Sequence, residues 1–507
     1  MSEEPKKGEE PKKMDRRKFI YAGLGAVAVA AVGAAAYYGT RPPEVITTTQ
    51  TLAQTVTTMA PPTSSAVQSV ANYPFSDLIG RAKEASIDWT QCKGENITMA
   101  CLDWAGIEDI RLQAAVFNQI TGISVLLDRL PEEELRAKLQ LDITSGAGVF
   151  DCYWLDPMTI ATYAKIKGLE PLQQYLDDPT LTDKAWFQYE DMFAPARGMG
   201  INPGDKVLYA IPFSAEPCIL TYRNDLVQQY NVKVPDTTDD LVEAAKALHH
   251  PDKGYAGILL RGQRGNGQNM WVWPGFLDAF GGSIFDENWK PVFNGPEGKA
   301  ALDLYVNLDT NYGPEGIVNW GAAESQLACN EGKVAMNFDF YGRGLFADDP
   351  TLGGNPEVKG LWSFAVPPMG PVKRADNFYA WMYAMSSASK HKKAAWLWLQ
   401  WAQSREVGLN FQYEQGYGCP RNWIFQNADF KQRWASPQFN NFIDVYTETA
   451  NKYSNPEFRP RIPEYPEVGD AMSIEIQNAI AKTKDTQKAL DDAATAVTAI
   501  MSKAGYY

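Results

Sequence analysis

Histidine is nearly absent from this 507-residue chain. His249, His250 and His391 are the only three, and none stands in an HExxH or comparable ligand spacing, which argues against the common helical zinc sites. The six cysteines, Cys92, Cys101, Cys152, Cys218, Cys329 and Cys419, contain no CxxC pair, so a zinc ribbon is disfavoured. No GxSxG turn offers a serine nucleophile, and RGQRGNG at residues 261–267 lacks the Lys and the Ser or Thr of a phosphate-binding loop. Positive charge is also scarce. Lys and Arg number 47 against 61 Asp and Glu, a formal net charge of -14, whereas a phosphate-binding surface is basic. Nucleic acid is therefore not an expected partner, and no cofactor or metal is expected.

What the chain does have is apolar and aromatic mass, 45% and 12% of its residues, enough for a large core spread over two to four domains. Its N-terminus is built differently. Residues 1–18 form a basic cytoplasmic tail, and residues 19–38 carry no charge over roughly 30 Å of helix, enough to span a bilayer. Seven Lys and Arg precede that segment, so the tail is expected to stay inside and the body to lie outside. Arg16 and Arg17 before Phe19 and Ile20 match a twin-arginine export signal; the alternative is an ordinary positive flank of a membrane helix. Cleavage after Ala36 would release the protein, and the lack of any cysteine before Cys92 excludes a lipoprotein anchor. Residues 39–72, rich in Thr, Ser, Pro and Gln, cannot bury enough surface to fold and are expected to be an extended stalk of up to about 90 Å, or else a remnant of the signal.

From residue 73 onward the pattern is globular. ITMACLDW, ISVLLDRL and VFDCYWL read as buried strands, separated by helices with Leu112, Val116 and Ile120, then Leu135 and Leu139, on one face. Pro131 and three glutamates mark a helix start. Such alternation predicts an α/β fold with a parallel sheet, and ligands of such sheets bind beyond the carboxyl ends of the strands. Trp104 and Asp156 stand there, unless Trp104 packs on its own helix and Asp156 only caps the helix at Pro157. Outside the cytoplasm six cysteines permit disulfides, or they serve as small buried apolar residues. Asn96, in NIT, is the one N-glycosylation sequon.

GQNMWVWPGF, residues 267–276, sets Trp271 and Trp273 between Gly and Asn on one side and Pro on the other, which predicts a loop. Flat indole surfaces on a cleft loop suit the C–H faces of a sugar or polyol, whose hydroxyl rim then needs hydrogen-bonding partners. The other reading is that both rings wedge into a core.

The helix end FNQITGISV, then SGAGVFDCYWLD, GDKVLYAIPFSAEPCILTYRNDLV, VPDTTDDLVEAAKAL, NEGKVAMNFD and SSASKHKKAAWLWLQWAQS follow in an order that resembles the extracellular solute-binding proteins of ATP-driven carbohydrate importers. That group includes maltose-binding protein, and the similarity is greater to its sugar and polyol binders. The resemblance runs from about Ile97 to the C-terminus. It implies a two-lobe, periplasmic-binding-protein-like fold with lobes discontinuous in sequence and ligand held in the cleft between them. Hinge crossings are expected near Pro212–Cys218, Met336–Asp339 and Ala380–Ala384. Residues 97–213 and 338–380 would then form the first lobe, and 218–336 and 385–507 the second.

The implied function is capture of a sugar or polyol by hinge closure and delivery to the transmembrane subunits of a permease, with no reaction and with a monomeric ectodomain. By resemblance, Trp271 takes the place of an aromatic that stacks on sugar ahead of a Trp-Pro pair, here Trp273 and Pro274. Glu216 matches a sugar-contacting glutamate near the hinge, and Asp156 an aspartate after the third strand. Asp339 and Tyr341 stand at the second crossing, and Tyr379 and Trp381 at the third, where the family more often has glycines. Arg421, in GCPRNW, matches a Pro-Arg pair, unless it forms a surface ion pair. Two readings of other classes remain: a surface glycoside hydrolase using Glu216 and Asp156 as its carboxylate pair, and a binder of peptides or other solutes.

Overall fold

The apolar runs and helical spacings of the first segment fold as their periods dictate. The computed structural model describes residues 77–103, 107–348, 354–415, 418–433 and 441–507. β1 (Asn96–Leu102) leads through helix Ile107–Thr121 to β2 (Ser124–Leu130), and helix Glu132–Ser145 leads on to β3 (Cys152–Leu155). Gly122 and Gly146, at φ +73° and +65°, follow these helices in the left-handed conformation that glycine adopts without a Cβ clash. β1 runs parallel to both β2 and β3. The expected membrane segment, the stalk and Trp104 lie outside the described residues. Among the described residues no helix is long and apolar enough to cross a membrane.

Seven further strands complete two sheets: β4 (Ala210–Pro212), β5 (Glu216–Arg223), β6 (Met336–Phe340), β7 (Trp362–Ala365), β8 (Asp376–Tyr379), β9 (Met382–Met385) and β10 (Ser454–Asn455). The first sheet has the order β2-β1-β3-β9-β4, with β9 antiparallel to β3 and β4; the second has β10-β8-β5-β6, with β7 also on β5. Between Pro212 and Glu216 the chain passes from one sheet to the other, within the first expected crossing.

The crossing expected near Met336–Asp339 does not occur. β6 and β7 lie on opposite edges of β5, and β8 continues the β7 edge, so residues 338–379 belong to the second lobe and not the first. Seven of the eight β5 residues are buried, and its backbone groups need partners on both edges. The crossing within Ala380–Ala384 does exist, between β8 and β9, but it runs back into the first lobe. Helix Lys392–Ala402, expected in the second lobe, accordingly packs on β9 and on helix Ile107–Thr121. Its Trp398 meets Phe117 edge-on at 5.4 Å and donates to Met99 Sδ at 3.2 Å. The chain re-enters the second lobe before helix Phe442–Lys452, which packs on β5 and β7, and helices Tyr465–Ile480 and Thr486–Lys503 close that lobe over Pro296–Tyr312.

All six cysteines are buried free thiols, so they act as small apolar residues and not as disulfide partners. Arg421 is neither in the cleft nor in a surface pair. At 0% exposure its Nε donates to the Gln403 carbonyl at 2.8 Å, Nη1 to Gln188 at 2.8 Å and Nη2 to Phe187 at 2.9 Å, with Asp191 at 3.5 Å. It joins the end of the Lys392–Ala402 helix to the loop at 187–188 in the first lobe. Removing it leaves the Phe187 and Gln403 carbonyls without their side-chain donor and takes one of two guanidiniums from Asp191, so Arg421→Met is expected to cost about 2–5 kcal/mol in urea unfolding, while the folded fraction keeps its ligand affinity. An unchanged unfolding midpoint would contradict this structural role.

Candidate functional site

The stretch expected as a loop is a helix, Asn269–Ala279, with Pro274 inside it. It is apolar on every side and every residue but Asp278 is buried, the signature of a helix enclosed by the core. A proline interrupts the backbone ladder, and here the Asn377 amide of β8 donates to the carbonyls of Trp271 and, at 3.0 Å, Val272. Gly275 is required by this contact, because a Cβ there would lie 2.5 Å from Asn377 Oδ1. The helix thus directs Trp273 inward and Trp271 toward the gap between the lobes.

Trp271 is fixed at both ends. Its Nε1–H donates to Asp339 Oδ1 at 2.9 Å, and its ring meets Tyr379 and Phe458 edge-on at 5.8 and 5.7 Å. Asp339, on β6, is fully buried and accepts from Arg261 Nε at 2.9 Å and Nη2 at 2.6 Å, from Arg343 Nε at 3.3 Å and from the Phe340 amide at 2.6 Å. Burial alone would raise its pKa, but the two guanidiniums prevail and hold the carboxyl down to about 2. Arg261 also donates to the Gly267 carbonyl, which ties down the 261–267 loop.

A cavity of about 740 Å³ opens beside these groups, with walls from both lobes. From the first lobe come Arg136, Trp154 and Asp156; from the crossings come Glu216, Tyr379 and Trp381; from the second lobe come the 263–268 loop, Trp271 and Arg459. The rings form a connected band. Trp381 lies edge-on to Trp154 at 6.4 Å and to Tyr379 at 5.5 Å, and the Arg136 guanidinium stands 5.4 Å over its face. Asp156 accepts from the Met158 amide at 2.9 Å, capping the turn at Pro157, and also pairs with Arg136. Asp156 therefore caps the turn at Pro157 and also lines the cavity. Burial pushes its pKa up, but the Arg136 and Arg459 charges outweigh this and leave the carboxyl below its usual range. Ser214 Oγ donates to Glu216 at 2.8 Å and accepts from the Trp381 amide at 2.9 Å, which links the two hinge crossings.

Asp156, Glu216, Trp271, Tyr379 and Trp381 thus meet around one cavity. Asp339 stands behind Trp271 as its anchor. Trp273 is fully buried, edge-on to Phe293 at 6.5 Å, and Tyr341 is buried among Phe340, Phe442 and Tyr446, so these two fill the core and not the cleft. Sequence reasoning missed Arg136, Arg261, Arg343 and Arg459. Arg136 follows Glu132 by four residues and reads as a helix-surface pair, which it also forms at 2.8 Å. Arg261 was in view only as part of a failed phosphate loop.

A profile of the family described as bacterial extracellular solute-binding protein matches residues 107–408, more than half of the chain. The chain belongs to this family. A mannitol-binding protein of Pseudomonas aeruginosa is 30% identical over 393 residues, 74% of this chain and 86% of that protein. An erythritol/L-threitol-binding protein of Mycolicibacterium smegmatis is 24% identical over 394 residues, 74% of this chain and 80% of the relative. Among solved structures, a solute-binding protein of Agrobacterium radiobacter K84 in complex with ribitol superposes with a TM-score of 0.70 at 26% identity, covering 80% of this chain and 98% of the other. One from Agrobacterium vitis S4 with bound D-mannitol gives 0.68 at 28% identity, over 81% and 99%. The two-lobe α/β architecture is therefore that of the solute-binding family.

The depressed pKa of Asp339 has a consequence for stability. A carboxyl at about 2 when folded and near 3.8 when free binds fewer protons in the native state. Its contribution, about 2 kcal/mol, is complete above pH ~4 and is lost as the pH falls toward 2. Urea unfolding of wild type and Asp339→Asn at pH 7, 4 and 3 is expected to show their stability difference shrinking on acidification; a constant difference would remove the ion pair as its source.

Proposed function

We propose that this chain is the extracytoplasmic binding subunit of an ATP-driven importer, capturing a small polyhydroxylated solute, an alditol or sugar, between its lobes and delivering it unaltered to permease subunits. The observation that carries the reading is the cavity itself, where indole and phenol rings face polar groups held by both lobes and by the crossings between them. A polyol chain offers C–H surface to the rings of Trp271, Tyr379 and Trp381 and hydroxyls to Asp156, Glu216 and the arginines. The alditols bound by the mannitol- and ribitol-complexed relatives support the open-chain polyol over a longer oligosaccharide. Hinge closure at the 212–216 and 379–382 crossings completes the site. Residues 19–38 would hold the ectodomain at the membrane after twin-arginine export, residues 39–72 would space it from the surface, and the ectodomain would act as a monomer.

Calorimetry with D-mannitol, ribitol, erythritol and maltose tests the reading, with an alditol expected to bind in the micromolar range or tighter and maltose weakly. Trp271→Ala is expected to lower alditol affinity by about tenfold to a hundredfold, while circular dichroism shows the fold retained. An unaltered affinity would take Trp271 out of the site, and release of reducing sugar from oligosaccharides would favour the hydrolase reading.

A further inference from the structure

Positive charge in the cleft exceeds negative charge. Five arginines line the cavity against Glu132, Asp156 and Glu216, and Asp339 behind Trp271 makes a fourth carboxylate, which leaves one cation over in a chain of net charge -14. Most of these arginines have partners. Arg261 and Arg343 share Asp339, Arg136 rests on Asp156 and Glu132, and Arg264 is exposed at the mouth.

Arg459 is different. It is 3% exposed and has no carboxylate within ion-pair distance among the described residues. Its Nη1 donates to the Asn266 carbonyl at 2.6 Å, whereas its Nε–H is buried without an acceptor. The rings of Phe458, Tyr379, Trp271 and Tyr465 surround it at 4.8, 5.4, 5.8 and 5.9 Å. Asp156 feels its charge, but the oxygens of that carboxylate are taken by Arg136 and the Met158 amide. A buried cation with an unmet N–H is costly until a counter-charge reaches it, and a guanidinium matches the two oxygens of a carboxylate.

We propose that the ligand is an open-chain sugar acid whose carboxylate pairs with Arg459 and whose remaining chain lies along the aromatic band. This rests on the polyol reading above and narrows it to a polyol oxidised at one end. A phosphate ester fits less well, because its dianion would share the cavity with Asp156 and Glu216 and gain only one unpaired guanidinium.

D-Gluconate and D-mannitol, six-carbon chains that differ in oxidation at one end, provide the test by calorimetry at pH 7. Wild type is expected to bind gluconate at least about tenfold more tightly. Arg459→Gln is expected to lose that preference, weakening gluconate at least about tenfold more than mannitol; a purely structural Arg459 would weaken both ligands alike. Equal or tighter mannitol binding by wild type, or a preference that survives Arg459→Gln, overturns the inference. Mannitol binding with no preference leaves the polyol reading intact, whereas binding of neither ligand sinks both. If the variant does not fold, the wild-type ratio decides.

Discussion

The Asp339 carboxylate is the fixed point on which the binding face of the second lobe depends. It sits on β6, is fully buried, and gathers the Arg261 loop, the Arg343 helix and the Trp271 indole around one pair of oxygens. In energy alone such a buried cluster is a poor bargain, since desolvation of three charges offsets much of their attraction. Its value is geometric. An indole held by Asp339 through Nε1 and wedged between Tyr379 and Phe458 has little freedom left to lose when a ligand arrives, and the 261–267 loop is fixed by the same residue that pairs with Asp339.

The first lobe and the crossings repeat this logic with different chemistry. Asp156 and Arg136 are set at the end of β3 and on the helix after β2, so their positions follow from the parallel sheet. Glu216, Tyr379 and Trp381 instead belong to the connections between sheets, and Ser214 links them through two hydrogen bonds. A solute that contacts these residues touches the hinge as well as the lobes. Any closure that rotates β4 against β5 must also move β8 against β9, and the bound solute biases both crossings together.

Much of this arrangement was legible in the sequence, and the failures share one cause. β1 through β3 and their helices were readable because the strands are short apolar runs bounded by turns and the helices show their period. Helix Asn269–Ala279 was not, because it is buried all round and the Trp271 and Val272 carbonyls in the turn before Pro274 are held by Asn377, more than a hundred residues away in the chain. The placement of residues 338–379 failed because β6, β7 and β8 are four or five residues long, and which edge of β5 they join is a matter of tertiary pairing that no local pattern records. Asp156, Glu216, Trp271, Tyr379 and Trp381 were found through residue type and order. The arginines were missed because Arg136 resembles a surface helix pair and Arg459 lies in a loop without periodicity. Trp273, Tyr341 and Arg421 show the converse: near neighbours of cleft residues in sequence, or members of a matching motif, they are turned into the core by packing.

What the carboxylates of this cleft can do depends on their protonation state. A glycoside hydrolase needs one carboxyl that keeps a proton at neutral pH, which proteins obtain by placing it in an apolar pocket away from cations. Asp156 has the opposite setting. Arg136 grips one oxygen, the Met158 amide the other, and Arg459 adds a third positive influence, so it stays ionised well below neutrality. Such a group accepts hydrogen bonds from hydroxyls and donates none. With Asp339 likewise ionised and committed to its guanidiniums, these two carboxylates orient the donors around them, Arg136 on one side of the cavity and Arg261, Arg343 and Trp271 on the other.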